Sequence, residues 1–189
     1  MDKYIEQLSN LHFDLLHIAQ SYANDNNSPS IEPAHIFRAL LHKSAGLINF
    51  IEDTLDSDYY YLVDWADMRI QQCDKSPYKM KGFDFSHETK SVIKEAVNIS
   101  EKAGLSQIDA TCILAALITP GIAFSFEQLK TMPLKSEKVL NTIKSSPSTN
   151  TNTSDTIGHS KVETEESEYY ISLLNDCKET NIIGFDNEK

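Results

Sequence analysis

The sequence predicts an all-α protein: two pseudo-symmetric four-helix repeats, about eight helices in all, followed by a flexible linker. Three observations predict it. Apolar residues step by three or four along most of residues 1–146, the period of helices with one buried face. No segment shows the strict alternation of a half-buried strand. The chain also says nearly the same thing twice, because IEPAHIFRALL at 31–41 returns as IDATCILAALI at 108–118. A shift of 77 sets Ile31 on Ile108, Glu32 on Asp109, Ile36 on Ile113 and Leu40 on Leu117. Upstream the same shift needs no gap, with Leu15 on Val92 and Ala19 on Ala96. Self-similarity at a fixed offset marks a duplicated supersecondary unit.

The elements follow in order. Leu8, Leu11, Leu15, Ile18 and Tyr22 form one face of a first long helix, and NDNNSPS at 24–30 ends it with residues that favour turns. Pro33 suits the first turn of a second helix, with Glu32 at its positive end and Ile36, Phe37, Leu40 and Leu41 as its stripe. Leu47, Ile48, Ile51 and Leu55 predict a short third helix. Tyr59, Val63, Ala66, Ile70 and Cys73 predict a fourth, with Tyr61, Trp65 and Met68 on a neighbouring stripe. KSPYKMKGFDF at 75–85 is a connector. Ser86 caps a fifth helix carrying Val92, Ala96, Ile99 and Ala103, and Gly104 stands at its C′ position. Asp109 caps the sixth, Pro120 and Gly121 stop it, Phe124 and Leu129 mark a seventh, and Val139, Leu140 and Ile143 an eighth.

Composition changes beyond residue 146. Ser, Thr and Asn dominate, so residues 147–168 read as a flexible polar linker. Residues 169–189 recover Tyr169, Tyr170, Leu173, Leu174, Ile182 and Ile183, too little to fold alone, and read as the first piece of a following module. Residues 1–146 carry 14 Lys and Arg against 19 Asp and Glu, and residues 147–189 carry 3 against 9. Such an acidic chain lacks the basic face that nucleic acid requires. No stretch reaches the ~18 apolar residues of a membrane span, and MDKYIEQLSN has neither the basic nor the apolar region of a signal peptide. Cys73, Cys112 and Cys177 are odd in number and scattered, with no metal-ligand spacing and no disulfide framework. A cytoplasmic location is the expectation.

Ile31-x-Pro33-x-His35-Ile36-x-x-Ala39-Leu40-Leu41, with Ala19 and Ala23 before it, resembles the Clp amino-terminal domain, the double-repeat module at the front of ClpB- and ClpV-class AAA+ unfoldases. Phe85-Ser86 through Ala96 to Ile108-Asp109 and Leu114-x-Ala116-Leu117 is similar to the family's second repeat, with Ala110 and Cys112 where the first has proline and histidine. The resemblance covers about residues 9–145. In these unfoldases a linker leads to an ATPase module that opens with Ile-Gly-Arg-Asp, and Ile183-Gly184-Phe185-Asp186 stands in that place with Phe185 for the arginine. A Walker A pattern is absent from the chain, so no enzyme activity is expected of it. ATP, magnesium and hexamerisation would belong to a further module.

The resemblance implies recruitment of a protein partner. The long linker and the added start favour the ClpV type, whose domain grips a helix of the type VI secretion sheath protein for sheath disassembly. The alternatives are the amino-terminal domain of a ClpB-like disaggregase, which would take unfolded polypeptide, and a stand-alone helical adaptor. Such a domain acts through apolar surface that receives a partner helix. The candidate groove is Tyr4, Ile5 and Leu8 on one wall and Leu11, Phe13 and Leu15 on the other. Lys3, Glu6 and Asp14 would be its polar rim. The competing reading is that these apolar residues only cap the core.

No catalytic or metal site is expected. His35 and His42 are seven apart and His12 and His17 five apart, neither the i, i+4 pair of a zinc helix. His35 reads as a structural residue that bonds backbone at a helix start. A nucleophilic Cys112–His35 pair is disfavoured, because a thiol buried beside Ile113 and Leu114 has a raised pKa. Of Tyr59, Tyr60 and Tyr61, two are expected to pack and one to be exposed.

Overall fold

The structure, a computed structural model, describes residues 3–80 and 82–145, and among these the side chains of 14–80 and 82–144. The expected linker at 147–168 and module at 169–189 lie outside the described residues. What is described is helical. The first repeat comprises α1 (Lys3–Asp25), α2 (Pro33–Leu40), a π-helical turn (Phe50–Thr54) and α3 (Tyr59–Gln71). The second comprises α4 (His87–Lys102), α5 (Ala110–Leu117), α6 (Phe126–Leu129) and α7 (Ser136–Ser145). A 3-10 turn, Lys43–Ala45, follows α2.

The two copies of the echo are α2 and α5, and among the described residues they touch each other. Helix α1 packs on α2, and α4 on α5. Helix α2 also touches α5 and α4, while α1 touches α4. This placement explains the repeated sequence. A helix covered from several sides must be apolar nearly all round. Seven of the eight residues of each are accordingly buried, leaving Arg38 and Thr111 as the partly exposed positions.

Local chemistry fixes the ends. Asp109 accepts the Cys112 N–H at 2.8 Å, Ser86 accepts that of Thr89 at 3.1 Å, and Asp58 accepts those of Tyr60 and Tyr61. Each satisfies a helix N–H that has no intrahelical partner. Gly104 adopts φ +70° after α4, and the Leu105 N–H reaches the Ser100 carbonyl at 2.9 Å while the Gly104 N–H reaches Glu101. That is the Schellman closure expected of a glycine at C′.

The connector is tied along the first repeat. The Asn27 carbonyl accepts the Ser76 N–H, Asn24 Oδ1 accepts the Met80 N–H, and Gln20 Nε2 donates to the Gly82 carbonyl. Ile31 then pairs with the connector's end in an isolated parallel bridge to Phe85. Its carbonyl also accepts the Thr89 hydroxyl at 2.7 Å. The repeats are therefore joined by backbone as well as by side chains.

Three expectations need correction. The third helix is a π-helical turn, and Lys138 of α7 donates to the Leu55 carbonyl at its end at 2.7 Å. The buried face of α3 is Leu62, Trp65, Ala66 and Ile70, whereas Tyr59 and Val63 are half-buried and Met68 is exposed. Helix α6 is a single turn. Phe124 precedes it and is buried, while Phe126 within it stands 67 % exposed. The last two share one cause. Trp65 and Phe124 turn towards each other across the repeat boundary, with centroids 5.0 Å apart, and Phe37 of α2 completes an edge-on trio with them.

Candidate functional site

Helix α1 is longer than its counterpart. Helix α4 begins at His87, which the 77-residue shift sets on Asn10, yet α1 begins at Lys3, seven residues earlier. The backbone thus extends beyond what the duplication requires, over the segment singled out in the sequence. A continuous helix at 3.6 residues per turn sets positions 4, 8, 11 and 15 on one side, with position 13 about half a turn away. Leu15 is 4 % exposed and belongs to the core. It can serve as the inner end of a groove and not as an open wall. The side chains of Tyr4, Ile5, Leu8, Leu11 and Phe13 lie outside the described residues.

Histidine and cysteine chemistry is occupied structurally. His35 is fully buried, its Nδ1 accepts the Glu32 N–H at 2.9 Å, and its Nε2 lies 3.4 Å from Ser28 Oγ. A nitrogen that accepts from backbone leaves the ring proton on the other, so His35 is the Nε2–H tautomer, donating to Ser28. Asn26 donates to Ser28 Oγ and to the Ile70 carbonyl, so the chain of bonds ties the α1–α2 loop to α3. Burial lowers the His35 pKa to about 4, keeping the ring neutral. Cys112 takes the same place in α5 and is buried, which pushes its thiol up to about 12. Cys73 is raised to about 11, chiefly by burial and further by the charges of Glu32 and Asp74. Neither thiol is disposed to form a thiolate, and both ring nitrogens of His35 are engaged elsewhere. Among the described residues no group of three or more His, Cys, Asp or Glu is placed to hold a metal ion. None of their helices is long and apolar enough to cross a membrane.

Other contacts escaped sequence reasoning because they join distant positions. Arg38 binds Asp67 of α3 at 2.9 Å and covers the Tyr22 ring of α1 at 5.0 Å, holding three helices through one guanidinium. Trp65 Nε1 donates to Thr131 Oγ1, and the Tyr61 hydroxyl to the Thr131 carbonyl, both at 2.9 Å. The tyrosine run reverses the expected two packed and one exposed: Tyr59 is half-buried and bonds the Leu41 carbonyl, whereas Tyr61 is 45 % exposed and Tyr60 75 % exposed. A polar cleft of about 310 Å³ lies among the starts of α2 and α4, the end of α3 and α6, lined by Glu32, Arg69, Asp74, Glu88 and Phe124 among others.

A sequence model of the Clp repeat (R) N-terminal domain matches residues 9–131. No curated protein matches the chain. Among solved structures, the N-domain of ClpV from Vibrio cholerae is similar at 14% identity and TM-score 0.61, over 76% of this chain and 90% of that one. A ClpV N-domain in complex with a VipB peptide is similar at 16% identity and TM-score 0.56, over 74% and 92%. The Hsp104 N-terminal domain from Candida albicans is similar at 12% identity and TM-score 0.58, over 71% and 87%. At these identities the likeness shows the fold.

Proposed function

Because this chain belongs to the Clp repeat (R) N-terminal domain family, we propose that it recruits a protein partner for a Clp-class AAA+ motor and performs no bond chemistry itself. The partner is a helix, and its seat is the apolar side of the extended α1, from Tyr4, Ile5 and Leu8 through Leu11 to Leu15, while Phe13, about half a turn away, falls off this side. One observation carries this reading: α1 continues seven residues past the start set by the repeat, with its apolar positions in register with the buried Leu15. A helix that prolongs a core-facing stripe beyond the core offers that stripe to something else. The solved complex of a ClpV N-domain with a VipB peptide supports a peptide partner and the ClpV branch. On that reading the partner is a sheath-protein helix and the outcome is disassembly of the type VI secretion sheath in the cytoplasm. The motor hexamer and its ATP would reside in a further module. Tethering several weak domains on the polar segment 147–168 would raise their effective concentration.

The test is titration of a sheath-protein helix peptide into the whole chain, beside the Leu8→Glu variant. The reading expects saturable binding, a roughly tenfold or greater loss in the variant, and unchanged helicity. Equal binding by both proteins would move the seat away from α1. Binding of a permanently unfolded polypeptide in place of the sheath helix would select the disaggregase branch, consistent with the likeness to the Hsp104 domain.

A further inference from the structure

The second repeat carries a cleft that the α1 reading does not use. It lies between the end of α5, α6 and the start of α7, with a volume of about 290 Å³. Ile118 and Leu134 are buried at its base, Leu129 is half-buried, and Phe126 stands at its mouth 67 % exposed. Pro120, Ser136 and two lysines, Lys130 and Lys135, complete the lining, and no carboxylate is among them. That is unusual placement in a domain whose acidic residues outnumber its basic ones by 19 to 14 over residues 1–146. Lys130 holds Glu127 at 2.7 Å with both side chains more than half exposed, an exchangeable pair of little energetic weight. Lys135 has no ion pair among the described residues, and the positive end of the ten-residue α7 begins beside it.

We propose that this cleft is a second docking site, for a partner segment that carries a large apolar side chain between carboxylates. Its volume is close to the roughly 300 Å³ at which small-ligand pockets begin, which suits one or two side chains rather than a helix face. The apolar group would displace water from Ile118, Leu129 and Phe126. The flanking carboxylates would meet Lys130 and Lys135, while the acidic remainder of the domain repels the same segment elsewhere. Charge then selects the seat and apolar burial holds it. The exposed aromatic surface continues from here, since Tyr61 bonds the carbonyl of Thr131, the residue after Lys130.

The test uses the whole isotope-labelled chain and two peptides, EEFLEE and KKFLKK, followed through backbone amide shifts. The acidic peptide should shift Phe126, Leu129 and Ser136 saturably, and the basic one should not. The double variant Lys130→Glu with Lys135→Glu alters only exposed side chains and should weaken EEFLEE roughly tenfold while admitting KKFLKK, with unchanged helicity. Equal response to the two peptides, shifts mapping elsewhere, or no response would overturn the proposal. Shifts of the same amides with protein concentration alone would overturn it in favour of a second copy of the chain. Leu8→Glu should leave EEFLEE binding intact, which separates this site from the α1 groove.

Discussion

The indole N–H of Trp65, in the first repeat, donates to the hydroxyl of Thr131, in the second, across 2.9 Å and 66 residues of chain. Trp65 is 4 % exposed and lies edge-on to Phe124 and Phe37. The bond therefore anchors a buried aromatic joint to Thr131 on the exposed rim of the repeat boundary. Thr131→Val keeps the shape and removes the acceptor at a position water can reach, so it should cost about 0.5–1.5 kcal/mol. Trp65→Ala removes the joint and should cost about 3–5 kcal/mol. Urea unfolding of the two variants checks both values and their order.

His35 makes stability depend on pH. Unfolded, its imidazole takes up a proton near 6.5; folded, only near 4. Between those values the unfolded chain binds more protons, so stability from this group is complete above about 6.5 and declines as the pH falls towards 4. The loss between pH 7 and pH 5 should be roughly 2 kcal/mol. Unfolding free energies of the parent and His35→Gln at both pH values test it. The variant should be less stable at pH 7 and should show a flatter decline, and an identical decline would remove His35 as its source.

Arg38 joins α1, α2 and α3, but its ion pair is not the larger part of its worth. Asp67 is 46% exposed and screened by water, so Asp67→Asn should cost about 0.5 kcal/mol. Arg38→Ala also strips the stem and guanidinium from the Tyr22 ring, a loss of packing as well as charge, and should cost more. A double-mutant cycle separates the two contributions, and a cycle assigning most of the Arg38 effect to Asp67 would contradict this order.

Gly104 occupies φ +70°, and a Cβ built there meets nothing within 4 Å. The cost of Gly104→Ala is therefore the left-handed backbone alone, about 1–2 kcal/mol. A melting curve should show the loss with no change in helicity at low temperature.

The two described cysteines should be poor nucleophiles. Cys112 is fully buried with its thiol near 12, and Cys73 is half-buried near 11. In a Cys177→Ser background, a disulfide reagent at pH 8 should label Cys73 slowly and Cys112 only as fast as the protein opens. Prompt labelling of Cys112 in native protein would show that α5 is not held as described.

The sequence by itself determined the helical class, the duplication, the order of elements and most helix ends. Those features rest on short-range physics. A 3.6-residue period, the acids and serines at the starts of α2, α4 and α5, and a glycine at φ +70° act within one or two turns, so they are written in adjacent residues. The buried histidine at the start of α2 was also legible, as a residue that bonds backbone. Only tertiary structure decided which face of α3 is buried, that the third helix is a π-helical turn, and that α2 and α5 touch. Trp65 with Thr131, Lys138 with the Leu55 carbonyl and Arg38 with Asp67 are separated by 66, 83 and 29 residues. No periodicity connects positions so far apart. Their pairing is selected by which arrangement of two repeats closes the core and pairs most of its buried polar groups, Arg69 Nε being the exception among the described side chains, and that choice exists only once the whole domain is assembled.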